Sequence, residues 1–214
     1  MDGHDACRKI CILSALSYGQ HVYPDQVPTE GIRGVTLEDV AYADSFDYKI
    51  KLLGRAIRQE GGKVCAFVAP HLVPGENPLA CVEDVFNAIA VRGNAVGDTM
   101  FYGRGAGKLP TASAVTADIT DIAANLGRES HKISWTPAAE CDIADIADYS
   151  CRSCFIFEDV RCLKSKVEKV FGKLDWFCKV GGRFAFIAGE MTEAEAEAKI
   201  AAVDAPFIKK FRLL

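Results

Sequence analysis

The tail of the chain constrains the fold most, because its hydrophobic period alternates between two and 3.6 several times in a short span. Residues 153–157 (Ser-Cys-Phe-Ile-Phe) are a short apolar run, and 163–171 carry apolar residues at helical spacing. Residues 176–180 and 184–188 are extended runs on either side of Gly181-Gly182, a turn signal. Residues 192–203 are helical behind Thr192 as a cap, and 207–213 are extended again. The order is βαββαβ in about sixty residues, the split-βαβ arrangement.

Upstream the pattern is different. Residues 6–18 form an apolar helix stopped by Gly19, with apolar side chains on most faces, as in a helix buried on several sides. Thr36, with Asp39 three residues on, caps a second helix through Ala43. Residues 48–57 and 63–70, separated by Gly61-Gly62, read as a hairpin whose second strand is the more continuously apolar. A short helical stretch and a strand fill 79–91, Arg92-Gly93-Asn94 turns the chain, and 95–102 return into a glycine-rich loop. Residues 112–126 are then an amphipathic helix with Val115, Ile119, Ile122 and Ala123, and periodicity is lost over 136–148. No internal repeat or low-complexity tract interrupts this order.

Charge also divides the chain. Residues 151–214 carry 12 Lys/Arg against 9 Asp/Glu, which leaves 13 against 20 before them. The expected architecture is α+β: helices packed on a mostly antiparallel or mixed sheet over 1–135, a linker over 136–150, and a ferredoxin-like βαββαβ domain over 151–214.

The net charge of −4 supplies no basic stripe for nucleic acid and no polybasic arm for a membrane surface. The longest apolar runs, such as 64–69, fall far short of the ~18 residues of a membrane span. The first five residues are polar and acidic, unlike a secretory leader, so a cytoplasmic location is expected. Nine cysteines, an odd and scattered set, read as reduced and mostly buried thiols. The one Cys-x-x-Cys, Cys151 with Cys154, lacks a second ligand pair and a nearby histidine, which favours strand packing over zinc. His21, His71 and His131 have no metal-ligand spacing and read as surface or hydrogen-bonded polar residues; no metal site is expected.

Two features carry chemistry. The first is Gly103-Arg104-Gly105-Ala106-Gly107-Lys108-Leu109-Pro110-Thr111, between a strand and a helix, where exposed backbone N–H groups and a helix N-terminus can meet an anion. It matches neither the Walker A loop, since Tyr102 and Leu109 occupy its glycine and hydroxyl positions, nor Gly-x-Gly-x-x-Gly. A tight corner without ligand and a phosphate-binding loop both remain open on the residues alone. The second is Asp5 with Lys9, four apart on one helix face. An ordinary surface pair there contributes ~0.3–0.5 kcal/mol, but the face continues into Ile12, Leu13 and Leu16, as at the rim of a buried region.

Together, Asp2-Gly3-His4-Asp5-Ala6-Cys7-Arg8-Lys9 and Gly105-Ala106-Gly107-Lys108-Leu109-Pro110-Thr111-Ala112-Ser113-Ala114-Val115 resemble homoserine dehydrogenase. The first matches the end of that family's Gly-x-Asp-x-x-x-Lys signature and the second its Gly-Ala-Gly-x-x-Pro-Thr-Ala-Ser-Ala-Val loop. Lys49-Ile50-Lys51-Leu52-Leu53, Asn77-Pro78-Leu79-Ala80 and Phe86-Asn87-Ala88 fall where the family has similar segments, so the resemblance covers about 1–130. The tail is similar in element order to the ACT module of many bacterial members.

The resemblance implies NAD(P)-dependent interconversion of L-homoserine and L-aspartate 4-semialdehyde, in threonine, methionine and isoleucine biosynthesis. Lys9 would be the catalytic proton donor, Asp5 would bind substrate near its amino group, and Gly105, Ala106 and Gly107 would line the cofactor. It also implies a homodimer and threonine as an effector, although Val160-Arg161-Cys162-Leu163 stands where ACT modules usually have Pro-Gly. The family's dinucleotide-binding Rossmann domain has no counterpart in these residues, so the chain alone is expected neither to hold NAD(P) tightly nor to turn over. The alternative is a non-catalytic, dimeric amino-acid-sensing module of ACT type.

Overall fold

A computed structural model describes residues 1–128, 134–139 and 142–214. His131 and Cys141 lie outside them. In chain order the elements are α1 (His4–Tyr18), β1 (Gln20–His21), α2 (Leu37–Asp44), β2 (Tyr48–Arg58), β3 (Val64–Pro74), β4 (Phe86–Gly93), β5 (Gly97–Arg104) and α3 (Lys108–Ala124). There follow β6 (Thr136–Pro137), β7 (Ser150–Glu158), α4 (Leu163–Phe171), β8 (Leu174–Val180), β9 (Arg183–Thr192), α5 (Glu193–Ala202) and β10 (Phe207–Leu213). The result is a mixed α/β chain with five α-helices among the described residues.

The chain forms two compact units, but not with a boundary at 136–150. Met1–Pro74 and Ser134–Leu214 make one unit, and residues 75–133 make the other. The reason is sheet pairing. A six-stranded sheet runs β2-β3-β10-β7-β9-β8, so the final strand inserts between the early hairpin and the C-terminal strands. β10 pairs with β3 in parallel at Arg212 and Leu213, opposite His71 and Leu72, and antiparallel with β7. The expected linker is also bonded in: Thr136 N–H donates to the Gly19 carbonyl, Ala138 N–H to His21, and Ala144 N–H to Val64.

Within that sheet, β10-β7-β9-β8 is the fourth, first, third and second strand of the βαββαβ run, with every neighbouring pair antiparallel. The βαββαβ element order read from the sequence is present, and its strands pair as a split βαβ arrangement does. One face carries Phe155, Phe157, Phe184 and Phe186 and packs on Leu163, Val167 and Phe171 of α4 and Ala196 of α5. Five phenylalanines pack there as ring pairs with centroids 4.7 to 6.0 Å apart, a spacing that adds attraction to area burial.

The opposite face is covered by the first part of the chain. Cys7, Ile10 and Cys11 of α1 pack on Val64, Ala66 and Val68, and Gly54 of β2 admits α1 closely, since a Cβ there would sit 3.1 Å from Ile10 Cβ. Tyr42 and Ala43 of α2 cover Cys154, Ile156, Ala185, Ile187 and Phe211. β3 is thus buried along nearly its whole length, which explains its continuous apolar reading against the partial alternation of β2. Cys154 belongs to the α2-side core while Cys151 sits beside Ser153 and Glu193, as strand packing requires.

The second unit is the antiparallel hairpin β4–β5 and helix α3. No residue of α3 is buried, and Val115, Ile119 and Ile122 are 53, 61 and 65% exposed. Its amphipathic stripe therefore faces no core within this chain's described residues.

Candidate functional site

α1 begins at Gly3, whose φ of 84° is a left-handed conformation that favours glycine. The approach is also tight: a Cβ on Gly3 would lie 2.7 Å from Thr29 Cγ2. From there the helix places Asp5 and Lys9 one turn apart, and Lys9 Nζ meets Asp5 Oδ2 at 2.8 Å. Both are open to solvent, with side chains 83 and 56% exposed for Asp5 and Lys9. The helix buries one face through Cys7, Ile10, Cys11, Ser14 and Ala15, not several. Ile12 and Leu16, expected to lead into a core, are instead exposed, and with Asp5 and Lys9 they form one open stripe of charge followed by apolar surface.

The glycine loop lies in the other unit. β5 ends at Arg104, and Gly105, Ala106 and Gly107 lead into α3. Asn87 dictates the first glycine: a Cβ on Gly105 would lie 2.1 Å from Asn87 Nδ2 and 2.4 Å from Cγ. Gly107, the N-cap of α3, has φ 121° and ψ 156°, a region essentially restricted to glycine. It has no side chain to cap the first-turn N–H groups, and no acidic residue sits in that turn. The corner is exposed and nearly free of side chains, Gly105 N–H donates to the Val85 carbonyl at 3.3 Å, and the first turn of α3 has no side-chain cap.

Other charges escaped sequence reasoning. Glu193, at the start of α5, is buried and takes Arg212 in a bidentate pair, Nε–Oε1 2.8 Å and Nη2–Oε2 3.0 Å, with Lys210 on the same carboxylate. Burial alone would raise its carboxyl, but the Lys210 hydrogen bond and the Arg212 charge outweigh it and hold the group below its ordinary value. The available signal was Lys210 and Arg212 two apart on a strand otherwise packed with Phe211 and Leu213, since charges on a buried strand demand partners. His71 also departs from expectation. It is fully buried, its Nδ1 lies 2.8 Å from the Ala69 carbonyl, and Nε2 has no hydrogen-bond partner among the described residues. Burial pushes its pKa down to about 3.

On the ferredoxin-like part, an open cleft of about 400 Å³ is lined by Glu158, Asp159, Val160, Gly181, Gly182, Arg183 and Ile208. It offers carboxylates and a guanidinium within one concavity. Among the described residues no group of three or more His, Cys, Asp or Glu is placed to hold a metal ion, and no helix is long and apolar enough to cross a membrane.

Comparison with known proteins follows the same residues. The family model for homoserine dehydrogenase matches residues 1–120. A homoserine dehydrogenase of Bacillus subtilis is 41% identical over 126 residues, 59% of this chain and 29% of that protein. One from Pseudomonas aeruginosa is 45% identical over 122 residues, 57% of this chain and 28% of that protein. The crystal structure of a homoserine dehydrogenase from Thiobacillus denitrificans superposes on the whole chain with a TM-score of 0.89 and 32% identity, over 53% of its own length. The S. aureus homoserine dehydrogenase does so with a TM-score of 0.79 and 31% identity, over 54% of its length. The chain thus spans about half the length of these solved relatives, and the matched segment covers under a third of each of the two curated ones.

Proposed function

The chain belongs to the homoserine dehydrogenase family, and on that premise we propose that it supplies the substrate-handling part of an NAD(P)-dependent interconversion of L-homoserine and L-aspartate 4-semialdehyde in the cytoplasm. The observation that carries the reading is the Asp5–Lys9 pair, 2.8 Å apart on the open stripe of α1, inside the segment the family model matches. Lys9 Nζ gives a proton to the aldehyde oxygen as the carbonyl carbon is reduced, and takes the hydroxyl proton in the opposite direction. A lysine suits this because its ammonium is a compact charge that can approach a developing alkoxide. Asp5 orients Nζ through Oδ2 and offers Oδ1 to the substrate's ammonium group. Gly105, Ala106 and Gly107 would line one side of NAD(P), which when bound would supply or accept the hydride. As a separate polypeptide, these residues are proposed neither to hold the dinucleotide tightly nor to turn over.

In this reading residues 1–135 supply the substrate-handling surface and 151–214 an ACT-type regulatory element whose strands share a sheet with β2 and β3. The strand order β10-β7-β9-β8 supports the second assignment. An amino acid such as threonine would meet Glu158 in this cleft and compete with Lys179 for Asp159 and with Glu38 for Arg183; a calorimetric titration with threonine that releases no heat would remove that effector. The uncovered apolar residues of the second unit, among them Phe101, Ile119 and Ile122, support a homodimer.

The test is Lys9→Ala in a chain joined to the coenzyme-binding portion of its longer relatives. Turnover should fall by about 10²–10⁴ while the dinucleotide still binds. Retained turnover would make Asp5–Lys9 a plain surface ion pair, and homoserine-dependent reduction of NADP by the chain alone would refute the division of labour.

A further inference from the structure

Residues 28–31 form a wedge between β3 and the entry into α1. Val68 N–H donates to the Pro28 carbonyl at 2.9 Å, and Glu30 N–H donates to the Val68 carbonyl at 2.7 Å. Thr29 bridges Val68 in parallel fashion. On its other side the wedge grips the N-terminus: Ile32 N–H donates to the Met1 carbonyl at 2.9 Å, and a Cβ on Gly31 would lie 2.7 Å from that same oxygen. Gly3 is pressed against Thr29 and the Glu30 carbonyl, and its own carbonyl accepts the Cys7 N–H at 2.8 Å, the first hydrogen bond of the helix.

The Glu30 side chain leaves this wedge and meets Arg212, with Nη1–Oε1 at 2.8 Å. Arg212 is held with little freedom. Its side chain is 5% exposed, Nε and Nη2 are taken by Glu193, and its guanidinium lies 5.4 Å from the Phe67 ring centroid. One arm of the guanidinium therefore anchors to the start of α5 and the other to the wedge beneath α1.

We propose that Arg212 is a positioning residue for the Asp5–Lys9 pair, acting through Glu30 and the 28–31 wedge on the first turn of α1. The proposal rests on the catalytic reading of Lys9. The two arms are chemically separable. Glu193 keeps its bidentate hold on the guanidinium without Glu30, and because it also serves Lys210, Glu30 contributes charge balance as well as placement of the wedge. Its carboxylate, 54% exposed, would otherwise be solvated, and pairing it with a fixed arginine holds the wedge in one place. Proton transfer is sensitive to such placement, since small displacements of a catalytic group are costly in rate.

Glu30→Gln removes the wedge arm and leaves the Arg212–Glu193 pair intact, and Arg212→Lys weakens both. Amide exchange on the chain as it stands reads the mechanical link. In Glu30→Gln the amides of Cys7, Glu30 and Ile32 should exchange severalfold faster, with those of residues 184–188 in β9 unchanged. Unchanged exchange at Cys7, or the same acceleration in β9, would overturn the proposal, because the contact would then serve nothing or only global stability. With the coenzyme-binding portion supplied, Glu30→Gln should lower kcat about tenfold with KM for homoserine nearly constant, and a change confined to KM would count against it. A Lys9→Ala chain that kept its turnover would instead sink the catalytic reading, while the exchange result would stand as the measure of the link.

Discussion

Phe46 and Trp176 pack as tilted rings with centroids 4.0 Å apart, joining the segment after α2 to the strand at the far edge of the six-stranded sheet. Tyr42 extends the same contact by donating its hydroxyl to the Val180 carbonyl. The second face of the ferredoxin-like sheet is therefore finished by residues near the N-terminus. Trp176→Ala should destabilise the chain by about 2–3 kcal/mol, less than the ~3–5 of a fully buried tryptophan because Trp176 is half-buried. Urea unfolding followed by far-ultraviolet circular dichroism checks this. The loss should appear as one earlier transition for the whole sheet; a separate early transition of the C-terminal strands would show that the face is not shared.

His71 makes stability depend on pH in a defined window. Its Nδ1–H donates to the Ala69 carbonyl, and its other nitrogen is buried between Phe67 and the charges of Arg55, Arg212 and Glu193. Burial lowers its pKa from 6.5 to about 3. Between those values the unfolded chain binds the proton and the folded chain does not, so stability falls as pH falls below 6.5, by up to ~1.4 kcal/mol per pH unit. Glu193 acts lower: its depressed pKa gives stability that is present above 4.5 and lost as pH falls through the folded value. The interval from pH 6.5 to 5 therefore isolates the histidine. His71→Leu should flatten the slope of unfolding free energy there, whatever it does to absolute stability, and an unchanged slope would assign the dependence elsewhere.

Gly105 is glycine because of Asn87, and that relation is open to a double substitution. A Cβ at 105 would crowd Asn87 at Nδ2, Cγ and, at 3.0 Å, Cβ, so rotation of the amide end alone cannot clear it. Gly105→Ala should shift the β4–β5 register at Phe86 and Arg104 and cost about 1–3 kcal/mol of local stability. Asn87→Ala with Gly105→Ala should recover most of that cost. Chemical shifts of the hairpin amides report the register, and additive losses in the double variant would mean that the two residues do not share the space.

How legible all this was depended on whether the cause was local. Gly19 as a helix stop, Thr36 and Thr192 as caps, and Gly181-Gly182 as a turn are decided within a few residues, and each stands where the sequence put it. The element order of the tail was legible in the same way. What could not be read was pairing at long range: β10 against β3 depends on Arg212 and Leu213 finding His71 and Leu72 some 140 positions away, and it turned an expected domain boundary into a shared sheet. The Asp5–Lys9 pair was legible through its spacing, whereas its open surroundings were not, because the exposure of Ile12 and Leu16 depends on which face of α1 the sheet claims.

Asp39 combines the two kinds of cause and lets them be measured apart. Locally it completes the capping box of α2: Thr36 N–H donates to Asp39 Oδ2 at 2.8 Å, and Asp39 N–H donates to Thr36 Oγ1 at 3.3 Å. At long range the same carboxylate, fully buried, takes Lys209 of β10 at 2.6 Å, and Arg183 of β9 approaches to 3.7 Å. Asp39→Asn keeps an oxygen for the cap and removes the charge that Lys209 needs. It should cost about 2 kcal/mol, below the ~3–5 of a wholly buried pair, because Lys209 is still 20% exposed and retains the Gly34 carbonyl. Asp39→Ala loses the cap as well, which adds about 1 kcal/mol, the loss expected of Thr36→Ala on its own. Chemical denaturation of the three variants separates these contributions. If Asp39→Asn proved as stable as the parent, the tie between α2 and β10 would rest on apolar packing alone, and the buried carboxylate would be a cap and nothing more.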